Sequence, residues 1–342
     1  MARYISDANQ VGFFYESGTY AIPSGVTLQS AGLVQENSLT SAMNTLPIRF
    51  TGNATRDVGQ QVNVMEDFEG TLTFYPQDWK GLVFALGSVV SAGSNETTVP
   101  YTHTIKALNS TDTNQFTSKP TALKPFISFS IEDSQTNAGS ATTNKNFVRT
   151  AKGCMVNTWS VSASQGEPVT CEIGYIAQSV TQTSGVATSL TTGTQRPYLF
   201  DDLIVSKGGT AMNTVRDFSF TINNNLDAPH YINGSKVVSV PIPGNRDYEI
   251  SMTLDANEDD TIPLYEANLL GGSEFNMTAN FTDASAGAGS RGIVMTFSGC
   301  KLTTMENPTT LEGVDEQSIT IVPKTVTAIG SDTIALYGPF TN

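Results

Sequence analysis

One stretch has the residue types and spacing to hold a metal ion: Asp255-Ala256-Asn257-Glu258-Asp259-Asp260, with Glu266 a little further on. Counted as a calcium loop, Asp255, Asn257 and Asp259 supply oxygen at the first, third and fifth positions, and Glu266 falls at the twelfth. The candidate ligand set is therefore Asp255, Asn257, Asp259 and Glu266. Two features oppose it. The sixth position is Asp260, where the loop needs glycine for its sharp turn, and the flanks read as a strand and a short helix. The rival reading is a helix N-terminus whose dipole stabilises carboxylates.

Other chemistry finds little support. The two histidines, His103 and His230, have no Cys, Asp or Glu at ligand spacing, so a zinc site is unsupported. There is no Gly-x-Ser-x-Gly elbow, no Gly-x-Gly-x-x-Gly after a strand and no Gly-Lys-Ser/Thr phosphate loop. A Ser-His-Asp group that meets only in the fold stays open at this level. No catalytic residue and no cofactor site is assigned, and a non-enzyme is expected. Three cysteines are an odd number, so no full disulfide framework forms. The Asn-x-Ser/Thr sequons follow from an Asn/Thr-rich composition.

The net charge is −14, from 18 basic and 32 acidic residues. A nucleic-acid binder needs a basic surface to displace counterions from phosphate. An acidic surface past which nucleic acid slides needs the opposite, since like charge prevents sticking. No stretch approaches the length of a membrane span. The start, Met1 to Ser6, lacks an apolar signal core, which points to folding in a cytoplasm.

The positioning elements come in two copies. Phe147-Val148-Arg149-Thr150-Ala151-Lys152-Gly153-Cys154 resembles Ile293-Val294-Met295-Thr296-Phe297-Ser298-Gly299-Cys300 at a fixed offset (300 − 154 = 146). Val156 then meets Leu302, Trp159 meets Met305 and Ile173 meets Ile319. Upstream, Gly70 to Phe74 aligns with Ile250 to Leu254 (254 − 74 = 180), and Leu86-Gly87 with Leu270-Gly271 (270 − 86 = 184). Self-similarity at a fixed offset means one unit used twice. Cys154 and Cys300, at equivalent places, read as one small buried hydrophobe in each core.

Alternating apolar and Ser/Thr residues predict strands at Leu72–Phe74, Ile127–Ile131, Trp159–Ala163 and Phe218–Ile222. Each copy predicts one short helix. The first is capped by Asp78, with Trp79, Leu82, Val83 and Leu86 inward and Gly87 as its stop. The second is capped by Thr261, with Ile262, Tyr265 and Leu269 inward and Gly271 as its stop. The domain reading is residues 1–45 as an N-terminal arm and first strand, 46–180 as a first domain, 181–197 as a linker and 198–342 as a second domain. The first copy carries an insertion, 89–124, expected to be a loop or extended hairpin that contacts neighbouring subunits.

On the twin halves, the strand-then-helix unit Gly70 to Gly87, and Phe218 to Leu226 followed by Pro243 to Ile250, the chain resembles the tail tube proteins of long-tailed viruses in their duplicated, two-domain form. The resemblance spans most of the chain from about Leu46. It implies an all-β fold: two tandem β-sandwich or barrel-like domains, each with one flanking helix. It further implies a structural virion protein that forms rings stacking into a tail tube, with viral double-stranded DNA passing through the lumen. The implied partners are the chain itself in homotrimeric rings and other tail proteins, such as tape measure and tail terminator. DNA would transit unbound, with no membrane and no cofactor. The implied location is the virion tail, assembled in the host cytoplasm. A receptor- or carbohydrate-binding β-sandwich and a hydrolase on a β-scaffold are the alternatives.

Overall fold

The computed structural model describes residues 9–16, 20–21, 24–50, 57–91, 101–107, 127–135, 146–184, 187–193, 195–283, 291–306 and 315–332. Strands dominate, numbered here in chain order. A central sheet contains β3 (Leu33–Ile48), β4 (Gln60–Tyr75), β9 (Thr170–Ala177), the C-terminal part of β8 (Phe147–Ser164), β14 (Val215–Asn223), β15 (Asp247–Asp255), β18 (Glu316–Val322) and the C-terminal part of β17 (Arg291–Glu306). These strands pair side by side in that order, all antiparallel. The sheet therefore runs unbroken from the first half of the sequence into the second, with β8 on β14 as the seam.

Two smaller sheets pack against it. The first runs β11 (Leu190–Thr191), β2 (Ser24–Gln29), β1 (Gln10–Tyr15), β7 (Phe129–Gln135), the N-terminal part of β8 and β10 (Ser179–Thr183). The second runs β13 (Thr210–Ala211), β12 (Leu203–Lys207), β16 (Phe275–Asp283), the N-terminal part of β17, β19 (Thr325–Asp332), β6 (Tyr101–Ala107) and β5 (Gly87–Ser91).

The repeat read from sequence reappears in the register. Ser179 pairs with Lys152 as Thr325 pairs with Ser298, and Phe129 pairs with Cys154 as Phe275 pairs with Cys300. Even the bulges coincide, between Val156 and Thr158 and between Leu302 and Thr304. Gly153 and Gly299 sit just before the two cysteines with φ +66° and +62°, a conformation only glycine adopts without strain. Each leaves an amide to be satisfied, and the copies solve this differently. The Gly153 amide donates to Glu16 Oε1 at 2.8 Å, and the Gly299 amide to Asn276 Oδ1 at 3.2 Å.

Helix α1 (Lys80–Leu86) is wedged between the layers, with every residue from Gly81 to Leu86 buried. Phe84 packs on Phe13, Tyr15 and Phe129 of the first small sheet. Trp79, beside it, meets Tyr198 and Phe281 on the side of the second. Gly87 closes the helix at φ 90°, as the sequence predicts, whereas Asp78 lies one residue before the N-cap, Trp79, and accepts the Lys80 amide at 3.0 Å.

Some expectations need correction and others gain detail. Residues 10–16 are not an arm. β1 lies between β2 and β7, and Phe13, Phe14 and Tyr15 are buried because both sides of the strand are covered. Of the two forms expected of the insertion, the described part takes the hairpin: β5 pairs with β6, which adds to β19 of the other half of the same chain; residues 92–100 and 108–124 lie outside the described residues. The linker stretch 181–197 is anchored where it is described. β11 adds to β2, and Arg196 reaches Asp202 and Asp283 at 2.7 Å each. Finally, the second helix, α2 (Glu258–Pro263), is capped by Asn257, whose Oδ1 accepts the Asp260 amide. It continues as a wider π-helical segment, Leu264–Leu270, which turns Ile262 and Tyr265 outward and Leu264 and Asn268 inward.

All three cysteines are free and buried. Burial pushes the Cys154 and Cys171 thiols well above their usual range and Cys300 up to about 11. Native protein at pH 8 should therefore react slowly with a thiol reagent at all three, and quickly once unfolded. Because the folded pKa is raised, this contribution to stability is complete below the unfolded value, roughly 8.5, and is lost as pH climbs toward 11. Fast labelling of the native chain, or stability rising over that window, would contradict the assignment.

Candidate functional site

The central sheet has two unlike faces. One carries Phe74, Trp159, Val161, Phe218, Phe220, Ile222, Ile250, Met252 and Ile319, all buried against the small sheets. On the other, Ser38, Thr40, Thr71, Ser160, Ser162, Ser219, Thr221, Ser251, Thr253, Ser318 and Thr320 alternate with them at exposed or half-buried positions. Strict alternation with a period of two puts a hydroxyl on this face at nearly every strand crossing. Glu36, Asp67, Glu69, Glu172, Asp217, Glu249 and Glu316 join them. Arg216 is neutralised where it stands, bonded to Asp255 at 2.5 Å and to Glu316. Its guanidinium pKa is raised, chiefly by the hydrogen bond to Asp255. The face as a whole is polar and acidic, a surface from which phosphate is repelled.

Both ends of the sheet are open within this chain. Among the described residues, β3 at one end pairs with no strand but β4, although its Leu39 carbonyl accepts from the Arg149 side chain at 3.0 Å, and at the other end the last residues of β17 pair with no strand but β18. Beyond Phe68, where β9 ends, β3 and β4 continue as a two-stranded arm to Ile48 opposite Gln60. That arm exposes Met43, Leu46, Val62, Val64 and Met65, with Phe50 at its tip. Leu46 stands directly opposite Val62. Near its base Glu66 bridges Val237, its amide donating to the Lys236 carbonyl at 2.9 Å; the exposed apolar residues beyond mark a contact surface.

The calcium-like residues are engaged locally. Asp255 pairs with Arg216, Asn257 serves as the N-cap of α2, and Glu266 is exposed on the π-helical segment. The side chain of Asp259 lies outside the described residues. Among the described residues, no group of three or more His, Cys, Asp or Glu is placed to hold a metal ion. His103 is buried in β6, while His230 lies 3.4 Å from Asp67; the two are not brought together. No helix among the described residues is long and apolar enough to cross a membrane.

Sequence reasoning found the repeat but missed the seam between its copies. There, Asn224 is buried and donates to the carbonyls of Ala85 at 3.1 Å and Val156 at 2.9 Å. Arg246 donates to Asn224 Oδ1 at 2.7 Å. Arg291, 1% exposed, reaches Asp283 at 3.0 Å, the Gln77 carbonyl at 3.2 Å and the Arg196 carbonyl at 2.8 Å. Only the local signature Asn223-Asn224-Asn225, legible as a turn, hinted at any of it.

Among curated proteins, none matches. Solved structures similar in part include the SPP1 tail tube, at 13% identity over 43% of this chain and 86% of that one, TM-score 0.32. The cap of the anti-feeding prophage is 17% identical over 40% of this chain and 94% of that one, TM-score 0.31. The sheath–tube complex of an extracellular contractile injection system, PVC, is 17% identical over 40% of this chain and 98% of that one, TM-score 0.33. The family model described as phage tail tube protein matches residues 47–334. That match takes in both copies of the repeat and most of the central sheet, so the chain belongs to the phage tail tube protein family and is a structural protein of the virion tail.

Proposed function

We propose that this chain forms homotrimeric rings of pseudo-sixfold symmetry, which stack into a tube and conduct viral double-stranded DNA during ejection. The observation that carries the reading is the central sheet of eight strands, four from each copy of the repeat, open at both ends. Closed cyclic symmetry joins one open end to the other. Three chains then supply about 24 strands at roughly 4.8 Å spacing, a circumference near 115 Å and a backbone diameter near 37 Å. Strand tilt widens this further. A duplex passes after inward side chains are allowed for.

In this reading the hydroxyl- and carboxylate-bearing face lines the bore, and its charge keeps transit free of binding. The exposed arm of β3 and β4 meets neighbouring copies. Tape-measure and tail-terminator proteins are the further partners, and assembly takes place in the host cytoplasm before the tube joins the virion. The two halves act as one ring segment each, with boundaries near residues 180 and 198.

Electron microscopy of the purified, concentrated chain tests the proposal. Tubes or stacked rings are expected. Uniform small particles at every concentration would overturn it and favour a soluble surface-binding β-sandwich.

A further inference from the structure

We infer that the chain carries inside itself a copy of the junction it makes with the next subunit, and that this copy fixes the register between chains: Thr304 opposite Ala42, Met305 opposite Ser41 and Glu306 opposite Thr40 of a second copy. The inference rests on the ring reading and specifies its contact surface.

Within the chain, β8 meets β14 with Thr158 opposite Asn223, Trp159 opposite Ile222 and Ser160 opposite Thr221. The repeat carries those three β8 residues to Thr304, Met305 and Glu306, on the open edge of β17 (304 − 158 = 146). The partner strand translates too. Ile222 pairs with Tyr248 as Ser41 pairs with Phe68, and Tyr248 is the repeat equivalent of Phe68 (248 − 68 = 180). Likewise Asn223 pairs with Asp247 as Ala42 pairs with Asp67. So β3 stands to β4 as β14 stands to β15, and β3 is the open strand at the far end of the sheet. The two open edges are counterparts of two edges already joined.

Exposure supports the same assignment. Leu86, at the end of α1, is 0% exposed under the seam, while its repeat equivalent Leu270 is 68% exposed. Asn224, one residue beyond β14, is 1% exposed, while Met43, at the equivalent position within the longer β3, is 59% exposed. The residues buried by the junction inside the chain are the ones whose counterparts lack cover. The chemistry also changes in step. Asn224 bonds carbonyls at the inner seam, whereas Met43 has an apolar side chain to seat, and Leu270 and Met305 are apolar. A second copy of this chain is the occupant that fits, because one end of the sheet is the complement of the other. Pairing the edges also removes a template for aggregation.

Cysteine pairs in assembled tubes test this. Thr304→Cys with Ala42→Cys, oxidised and run without reductant, should give covalent trimers at least ten-fold above either single variant. Thr304→Cys with Thr40→Cys or with Asn44→Cys, two residues out of register, should stay near the single-variant level. Amide exchange of the unaltered chain gives a second reading that needs no variant to fold: residues 303–306 and 40–42 should slow at least ten-fold on assembly. Preferential bridging in a shifted register, or tubes whose two edges exchange as fast as in the free chain, overturns this inference and leaves the ring reading standing. Failure of the unaltered chain to form rings or tubes removes both.

Discussion

Arg291→Met should cost the fold about 3–5 kcal/mol, the range for removing one partner of a buried ion pair. Arg291 is almost wholly buried and forks between Asp283, the Gln195 side chain and two backbone carbonyls, with its guanidinium 4.3 Å from the centre of the Tyr198 ring. Methionine fills much of the volume but satisfies none of these acceptors. Asp283 keeps Arg196 as a partner, so the damage falls mainly on the Gln77 and Arg196 carbonyls, which join the first half of the chain to the second. Arg291→Lys should recover only part of the loss, because one ammonium cannot reproduce a planar fork. Denaturant unfolding followed by circular dichroism measures both. A loss under about 1 kcal/mol for Arg291→Met would show that the buried charge cluster does not hold the halves together.

Trp159→Ala should cost a similar amount, about 3–5 kcal/mol, the usual range for emptying a large aromatic site. Trp159 is 1% exposed and stands opposite Ile222 across the seam, with its ring centre 6.1 Å from that of Phe220. The cavity would open where the two halves share one core, so unfolding should lose cooperativity as well as midpoint. Trp159→Phe should be much milder, since the indole nitrogen has no hydrogen-bond partner among the described residues. Two separate transitions in calorimetry for Trp159→Ala would fit weakened coupling at the seam. An unchanged single transition would mean that the seam contributes little.

The repeat was legible because its marks are local. Gly-Cys at a fixed offset, a glycine after each helix and period-two Ser/Thr alternation are all set within a few residues, and each matches a bulge, a cap or a strand face. What stayed hidden depends on partners far along the chain. Phe13, Phe14, Tyr15 and Glu16 are buried in succession, so β1 shows no alternation. Glu16 is accommodated there largely because Ser128, Ser130 and the Gly153 amide donate to it from more than a hundred residues away, alongside the nearby Ala21 amide. The Ser/Thr/Gln-rich stretch after Gln178 has the composition of a slack linker. It is held by Arg196 on Asp202 and Asp283, and no local pattern announces that. Polar alternation also says that one sheet face is wet, but not that the faces of both halves join into one.

Cryo-electron microscopy of assembled tubes, averaged down the tube axis, tests the central claim most directly. The account predicts threefold rings with six similar lobes, one per half-chain, around a continuous bore of about 24 strands and roughly 37 Å backbone diameter. True sixfold rings built from six whole chains, or a bore too narrow for a duplex, would contradict it.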